Sequence, residues 1–210
     1  MRRFIKDLFT VPNAMSMFRL LTAPLLALFW LGLEWRVTAL IIGTLGGITD
    51  LLDGIVARRL KQVTDLGALI DQLGDLLFES ICFIIAVLTG EFWVGWLIIY
   101  LCREFAVTVI RTYVYSHGGK LPSTVAGRAK SSLFQYAFFA FFLGAIMLQP
   151  GVLPEAWSIV GIPPGRMLIW VAKASILTGF AMSLISGFLY VRAFARFYSE
   201  LKNGENGTAG

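Results

Sequence analysis

The sequence predicts an all-α integral membrane protein, with six transmembrane helices preceded by a short interfacial amphipathic helix. Three observations predict it. The 210-residue chain is 57% hydrophobic and 15% charged, whereas an ordinary soluble domain carries about 25% charged residues. Its mean hydropathy is +0.75, which leaves too little polar surface to cover a water-soluble globule and excludes disorder except at the ends. The apolar residues also fall in six runs near the ~20 residues that a helix needs to cross the hydrocarbon core.

The elements follow in chain order. In residues 1–12, Phe4, Ile5, Leu8 and Phe9 recur at helical spacing with Arg2, Arg3, Lys6 and Asp7 between them. This predicts a helix lying on the membrane surface, and there is no signal-peptide core with a small-residue cleavage site. The spans run roughly over 15–33, 37–60, 67–89, 92–115, 131–148 and 168–191. The clean apolar parts of the second and third, 37–48 and 76–88, are each too short alone, and acidic residues interrupt both near the turn that joins them. Pro150, Pro154, Pro163 and Pro164 mark the loop between the fifth and sixth spans. Residues 1–202 form one domain, and the polar stretch 203–210 is expected to be a disordered tail. Cys82 and Cys102 lie in apolar runs and read as small core hydrophobes.

The net charge is +5, but its placement matters more than its sum. With six spans, one side collects Arg2, Arg3, Lys6, Arg58, Arg59, Lys61, Lys120, Arg128, Lys130, Arg192, Arg196 and Lys202. The other side has Arg36 and Arg166, with Lys173 just inside a helix. The positive-inside rule places both termini in the cytoplasm, so the expected location is the inner (cytoplasmic) membrane. No basic run is interleaved with aromatics on a polar face, so no nucleic-acid partner is expected.

The chemistry is concentrated in residues 49–79, TDLLDGIVARRLKQVTDLGALIDQLGDLLFE. At about 100° per residue, Asp50, Asp53, Gly54, Ala57 and Arg58 fall on one stripe of the second helix. Gly67, Asp71 and Asp75 share a stripe of the third, and a hairpin near 61–65 can bring the two stripes together. Four carboxylates at membrane depth cannot all stay ionised without positive charge. Arg58 can compensate in part, and divalent cations compensate better. An all-oxygen ligand set suits Mg²⁺, Mn²⁺ or Ca²⁺ rather than Zn²⁺, and the spacing suits a pair of ions of the kind that assists displacement at phosphorus. Gly54, Ala57 and Gly67 leave room for a ligand to approach the helix backbones. A single intramembrane aspartate is often only a packing or ion-pair residue. Four at ordered spacing with small residues between them point to a site, and the remaining alternative is a divalent-cation or proton transporter. The polar residues gather at one end of the helices while the far halves are apolar, which favours a site open to one side over a transmembrane path.

These residues resemble the signature of the CDP-alcohol phosphotransferase family, D-x2-D-G-x2-A-R-x8-G-x3-D-x3-D, which Asp50, Asp53, Gly54, Ala57, Arg58, Gly67, Asp71 and Asp75 match with no position missing. The resemblance implies an enzyme in which Asp50, Asp53, Asp71 and Asp75 hold two Mg²⁺ or Mn²⁺ ions. It makes Asp75 the general base as well, and it places Gly54, Ala57, Arg58, Thr64 and Gly67 around the CDP part of the donor. It also implies a homodimer.

More local motifs resemble those of the bacterial phosphatidylglycerophosphate synthases within the family. Residues 12–19, PNAMSMFR, resemble P-N-x-L-T-x-x-R, which adds Asn13 and Ser16 to the donor-binding positions. Arg103-Glu104 followed by Arg111 resembles R-E…L-R, and residues 127–131, GRAKS, resemble G-K-x-K-T. Ser16, Arg128 and Ser131 depart from these patterns, as does the DQLGDL around the last two aspartates. The implied reaction transfers a phosphatidyl group from CDP-diacylglycerol, at the surface of the lipid bilayer, to a small phosphorylated alcohol, glycerol 3-phosphate. Arg103, Arg111, Lys120, Arg128 and Lys130 supply positive charge for that acceptor. Serine, an inositol phosphate or phosphatidylglycerol is the alternative acceptor.

Overall fold

The computed structural model describes the backbone of residues 11–60, 65–119, 121, 124–154, 157–158 and 161–208, and the side chains of 14–49, 70–119, 121, 124–154, 157–158 and 161–202. Among the described residues there are six long helices and no strand element. We label them α1 (Val11–Ala27, continued by a π-helical turn, Leu28–Gly32), α2 (Arg36–Leu60), α3 (Asp65–Leu88), α4 (Val94–Ser116), α5 (Val125–Met147) and α6 (Pro164–Thr208).

Each boundary has a local cause. Pro12 sits in the first turn of α1, where its missing N–H has no intrahelical role. The π turn closes with Leu33 N–H donating to Leu28 O at 2.9 Å, and Glu34 (φ 57°) then reverses the chain into α2. The α3–α4 turn bends at Gly90 (φ 76°), a left-handed position that costs glycine nothing. Thr124 caps α5, its Oγ1 accepting the Gly127 N–H at 3.0 Å.

The chain divides into two compact units. Unit 1 comprises Met1–Val94 and Gln135–Ala172, and unit 2 comprises Gly95–Phe134 and Lys173–Gly210. In unit 1, α1 packs along both α2 and α3. Gly46 permits the close approach, since a Cβ there would lie 2.7 Å from Thr22 Oγ1. Edge-on ring pairs extend this core, Phe83 against Phe138 at 4.9 Å and Trp30 against Phe142 at 4.7 Å. In unit 2, Phe134 meets Tyr100 at 5.9 Å and Phe180 at 5.5 Å, and lies directly over Gly179.

Three described stretches are long and apolar enough to cross a membrane: Ala14–Gly32, Val125–Met147 and Pro164–Lys202. The sequence predicts six spans. In α2 the described side chains end at Thr49, and the apolar stretch they cover, Arg36–Thr49, is shorter than a span. The described part of α3 carries Asp71, Asp75 and Glu79, and α4 carries Arg103, Glu104 and Arg111. Large apolar side chains such as Leu21, Trp35, Ile98 and Phe188 face outward. With the three apolar helices, they mark a membrane protein.

Two other expectations meet the structure at the ends. Residues 1–10 of the expected interfacial helix lie outside the described residues, and Val11 and Pro12 already belong to α1. The backbone of α6 continues to Thr208, into the stretch expected to be disordered.

Candidate active site

Asp71 and Asp75 stand one turn apart on α3, at the i, i+4 spacing that puts both on one face. The structure brings a third residue to them: Arg19 of α1 donates from Nη1 to Asp75 Oδ1 and from Nη2 to Asp71 Oδ1. Arg19 is 2% exposed, whereas the two aspartate side chains are 42% and 43% exposed. A buried cation thus anchors two carboxylates that remain reachable from outside. Gly74, between the aspartates, faces α1, and a Cβ there would lie in ordinary contact, 4.0 Å from Arg19 Nε. Ser16, a predicted donor-binding residue, is buried on α1 one turn before Arg19, with its carbonyl facing Gly74. Thr22 Oγ1 donates to the Arg19 carbonyl at 2.7 Å and holds the next turn in place.

The other predicted residues of this group are placed less completely. Asp50, Asp53, Gly54, Ala57 and Arg58 lie on the C-terminal half of α2, Gly67 on the first turn of α3 and Asn13 on the first turn of α1. Their side chains lie outside the described residues, and so does the whole of Thr64. Phe78, one turn beyond Asp75, comes within 3.4 Å of a Cβ built on Gly46 of α2. The two acid-bearing helices therefore do meet.

Asp71 and Asp75 offer carboxylate oxygens, the ligand type a hard divalent cation takes, on one accessible face. Among the described residues no group of three or more His, Cys, Asp or Glu could hold an ion.

The predicted acceptor residues belong to unit 2 and form two separate contacts. Glu104 accepts from Arg103 Nη1 at 2.5 Å and from Lys130 Nζ at 2.8 Å, and Arg103 Nε also donates to the Ser183 carbonyl at 3.3 Å. The buried Lys130 ammonium sits 5.3 Å from the ring centres of Tyr100 and Phe134. Arg111 is held elsewhere, donating to the Tyr190 hydroxyl with its guanidinium carbon 4.8 Å from that ring's centre. Arg128 is exposed on the first turn of α5, and Lys120 lies outside the described residues. The sequence reading treats Arg128 and Lys130 as loop residues. Both are helical, because α5 starts at Val125 rather than near 131.

Arg19 and Tyr190 were not singled out from the sequence as site residues. Arg19 had a signal, as the only charged residue within the first apolar span and the last position of the PNAMSMFR motif. Tyr190 had none, because a tyrosine in an apolar helix reads first as core or as interfacial belt.

Comparison with known proteins adds an independent line. The family model described as CDP-alcohol phosphatidyltransferase matches residues 9–178. A protein of Streptomyces coelicolor named cardiolipin synthase (CMP-forming) is 33% identical over 178 residues, covering 78% of this chain and 79% of its own. Two proteins named CDP-diacylglycerol–glycerol-3-phosphate 3-phosphatidyltransferase also match. The one from Pectobacterium atrosepticum is 28% identical over 73% of this chain and 88% of its own, and the one from Bacillus subtilis is 25% identical over 79% and 88%. With the family model covering most of the chain and the D-x3-D aspartates gathered on Arg19, the protein belongs to the CDP-alcohol phosphatidyltransferase family.

Proposed function

We propose that the protein transfers the phosphatidyl group of CDP-diacylglycerol to glycerol 3-phosphate, forming phosphatidylglycerophosphate and releasing CMP. The observation that carries this reading is the pair of accessible carboxylates on α3 anchored by the buried Arg19, at the end of a complete eight-position motif. Asp75 takes the proton of the acceptor hydroxyl. The freed oxygen attacks the lipid-proximal phosphorus, and the bond from that phosphorus to the CMP oxygen breaks. Arg19 fixes the position of Asp75 against Asp71. Asp50, Asp53, Asp71 and Asp75 would hold two Mg²⁺ or Mn²⁺ ions, whose chemistry is to offset the pyrophosphate charge and stabilise the departing CMP. Gly54, Ala57, Arg58, Thr64, Gly67, Asn13 and Ser16 receive the CDP moiety. Arg111, Arg128 and Lys130, with Arg103 and Lys120, match an acceptor that carries its own phosphate.

The same reading makes the protein a six-span, homodimeric enzyme of the inner membrane with its termini and site in the cytoplasm. The polar helices α2, α3 and α4 complete the six spans because their charged residues serve a site rather than face lipid.

Phosphatidylglycerol is the second acceptor to weigh, because the 33%-identical relative is named cardiolipin synthase (CMP-forming). The deciding test is CMP release by the purified protein from CDP-dioleoylglycerol with Mg²⁺ or Mn²⁺, run in parallel with glycerol 3-phosphate, phosphatidylglycerol, serine and inositol 1-phosphate. The expected result is release with glycerol 3-phosphate alone. Release only with phosphatidylglycerol would reassign the acceptor and keep the donor chemistry. Folded protein that releases no CMP with any acceptor would overturn the transferase reading.

A further inference from the structure

We propose that Gln135 is a positioning residue for the acids on α2: its side-chain amide fixes the turn of that helix which leads into Asp50 and Asp53. The inference rests on reading those aspartates as ligands of the two divalent ions.

The contact is made to backbone. Gln135 Nε2 of α5 donates to the Gly47 carbonyl oxygen of α2 at 2.9 Å, across 88 residues of chain. Both residues belong to unit 1. Gly47 permits the approach, since a Cβ there would lie 2.9 Å from Nε2 and 3.6 Å from the amide carbon. The preceding carbonyl carries a side-chain donor too, Thr49 Oγ1 to Gly46 O at 2.8 Å. On the α1 side, a Cβ on Gly46 would meet Thr22 Oγ1 at 2.7 Å. Two successive glycines thus let α1 and α5 hold the same turn of α2. The Gly47 carbonyl lies inside the helix, where the N–H four residues on already serves it, so the amide is not needed to satisfy it.

Before this turn the helices stand apart. A groove of about 260 Å³ separates α2, α3 and α5, with Gly43, Thr44, Phe78, Phe138 and Phe142 on its walls. A void leaves its lining without partner atoms on one side, so packing over those turns restrains α2 weakly. Gln135 and Gly47 close the end of the groove nearest Asp50. From there α2 runs on as one helix to Leu60, and at 1.5 Å per residue Asp50 follows about 4.5 Å along the axis and Asp53 about 9 Å. Ions held by acids from two helices require both helices at a set distance and rotation, Mg²⁺ most strictly. Arg19 holds the acids of α3, and Gln135 holds the backbone of α2. A neutral amide does so without adding a charge that would compete with the ions.

The test is Mn²⁺ binding by the purified full chain in detergent, read from the free-ion electron paramagnetic resonance signal with no donor or acceptor present. Gln135→Met keeps the length of the side chain and removes the amide. Gly47→Ala displaces the amide from the other side of the same contact. Each should raise the Kd for Mn²⁺ about fivefold, the scale set by one hydrogen bond of ordinary net strength. The double variant should bind no more weakly than either single one, because both act through one contact. Alanine is the better helix former, so Gly47→Ala should weaken Mn²⁺ binding without lowering the melting temperature in EDTA. A merely structural role would not give that split. Thr44→Val, which loses a hydroxyl bond to Leu40 O at 2.7 Å one turn earlier on α2, should leave the Kd unchanged.

Unchanged Mn²⁺ affinity in both Gln135→Met and Gly47→Ala overturns the proposal. So does an equal loss in Thr44→Val, or a double variant whose loss is the product of the two single losses. Wild-type protein that binds no Mn²⁺ removes the two-ion reading and the proposal with it, whereas normal wild-type binding matched by both variants removes the role of Gln135 alone.

Discussion

Arg19, Asp71 and Asp75 form a unit in which the least exposed member is the cation. Asp75→Asn keeps the shape and one acceptor oxygen but removes the base. CMP release should fall at least a hundredfold while the melting temperature in detergent stays near wild type, and normal turnover in that variant would take Asp75 out of the proton transfer. Arg19→Met removes the anchor. Both carboxylates are over two-fifths exposed, so water screens them and the loss of stability should be about 1–2 kcal/mol rather than the larger cost of an unpaired buried charge. Turnover should fall further than that small loss explains, and Arg19→Lys should restore stability more than turnover, because an ammonium cannot span two carboxylates as a guanidinium fork does. Thermal unfolding and CMP release measured on the same preparations separate the two effects. The aspartates were legible in the sequence because i, i+4 spacing is local. Their anchor was not. Arg19 lies 52 residues from Asp71, and the sequence reading named Arg58 as the nearby compensating charge.

At the scale of elements, close helix packing depends on missing side chains. A Cβ on Gly46 would meet the buried Thr22 hydroxyl oxygen at 2.7 Å and Phe78 at 3.4 Å. Gly46→Val should therefore push α2 from α1 and α3, costing about 1–3 kcal/mol. It should also lower turnover by disturbing the helix that carries Asp50 and Asp53, read as a lower melting temperature and reduced CMP release. Apolar runs located all six helices, but their boundaries were less legible. Hydropathy marks only the part of a helix that faces an apolar surrounding. The polar first turn of α5, capped by Thr124 and carrying Arg128 and Lys130, therefore read as loop. The same effect hid the continuation of α6 to Thr208. Lys130 shows the consequence: as a loop residue it would only add to the charge bias, whereas on α5 it is buried against Glu104 and two rings.

For the whole molecule, the proposed topology is testable without an activity assay. In a variant lacking Cys82 and Cys102, cysteines introduced as Arg3→Cys and Glu200→Cys should react with a membrane-impermeant maleimide only after the inner membrane is opened. Trp157→Cys, in the loop before α6, should react in intact spheroplasts. Labelling of either terminus from outside would reverse the orientation or change the number of spans. Composition and periodicity were enough for the membrane class, the helical architecture and the aspartate motif. Those properties depend on how much apolar surface the chain carries and on residues within a few turns of one another. The partners of the charges came largely from the fold: Arg19 set across Asp71 and Asp75, Lys130 joined to Glu104, Arg111 held on Tyr190, and a groove left open between three helices. Each brings together side chains from different helices, and their meeting depends on how closely glycines and aromatic rings let those helices approach.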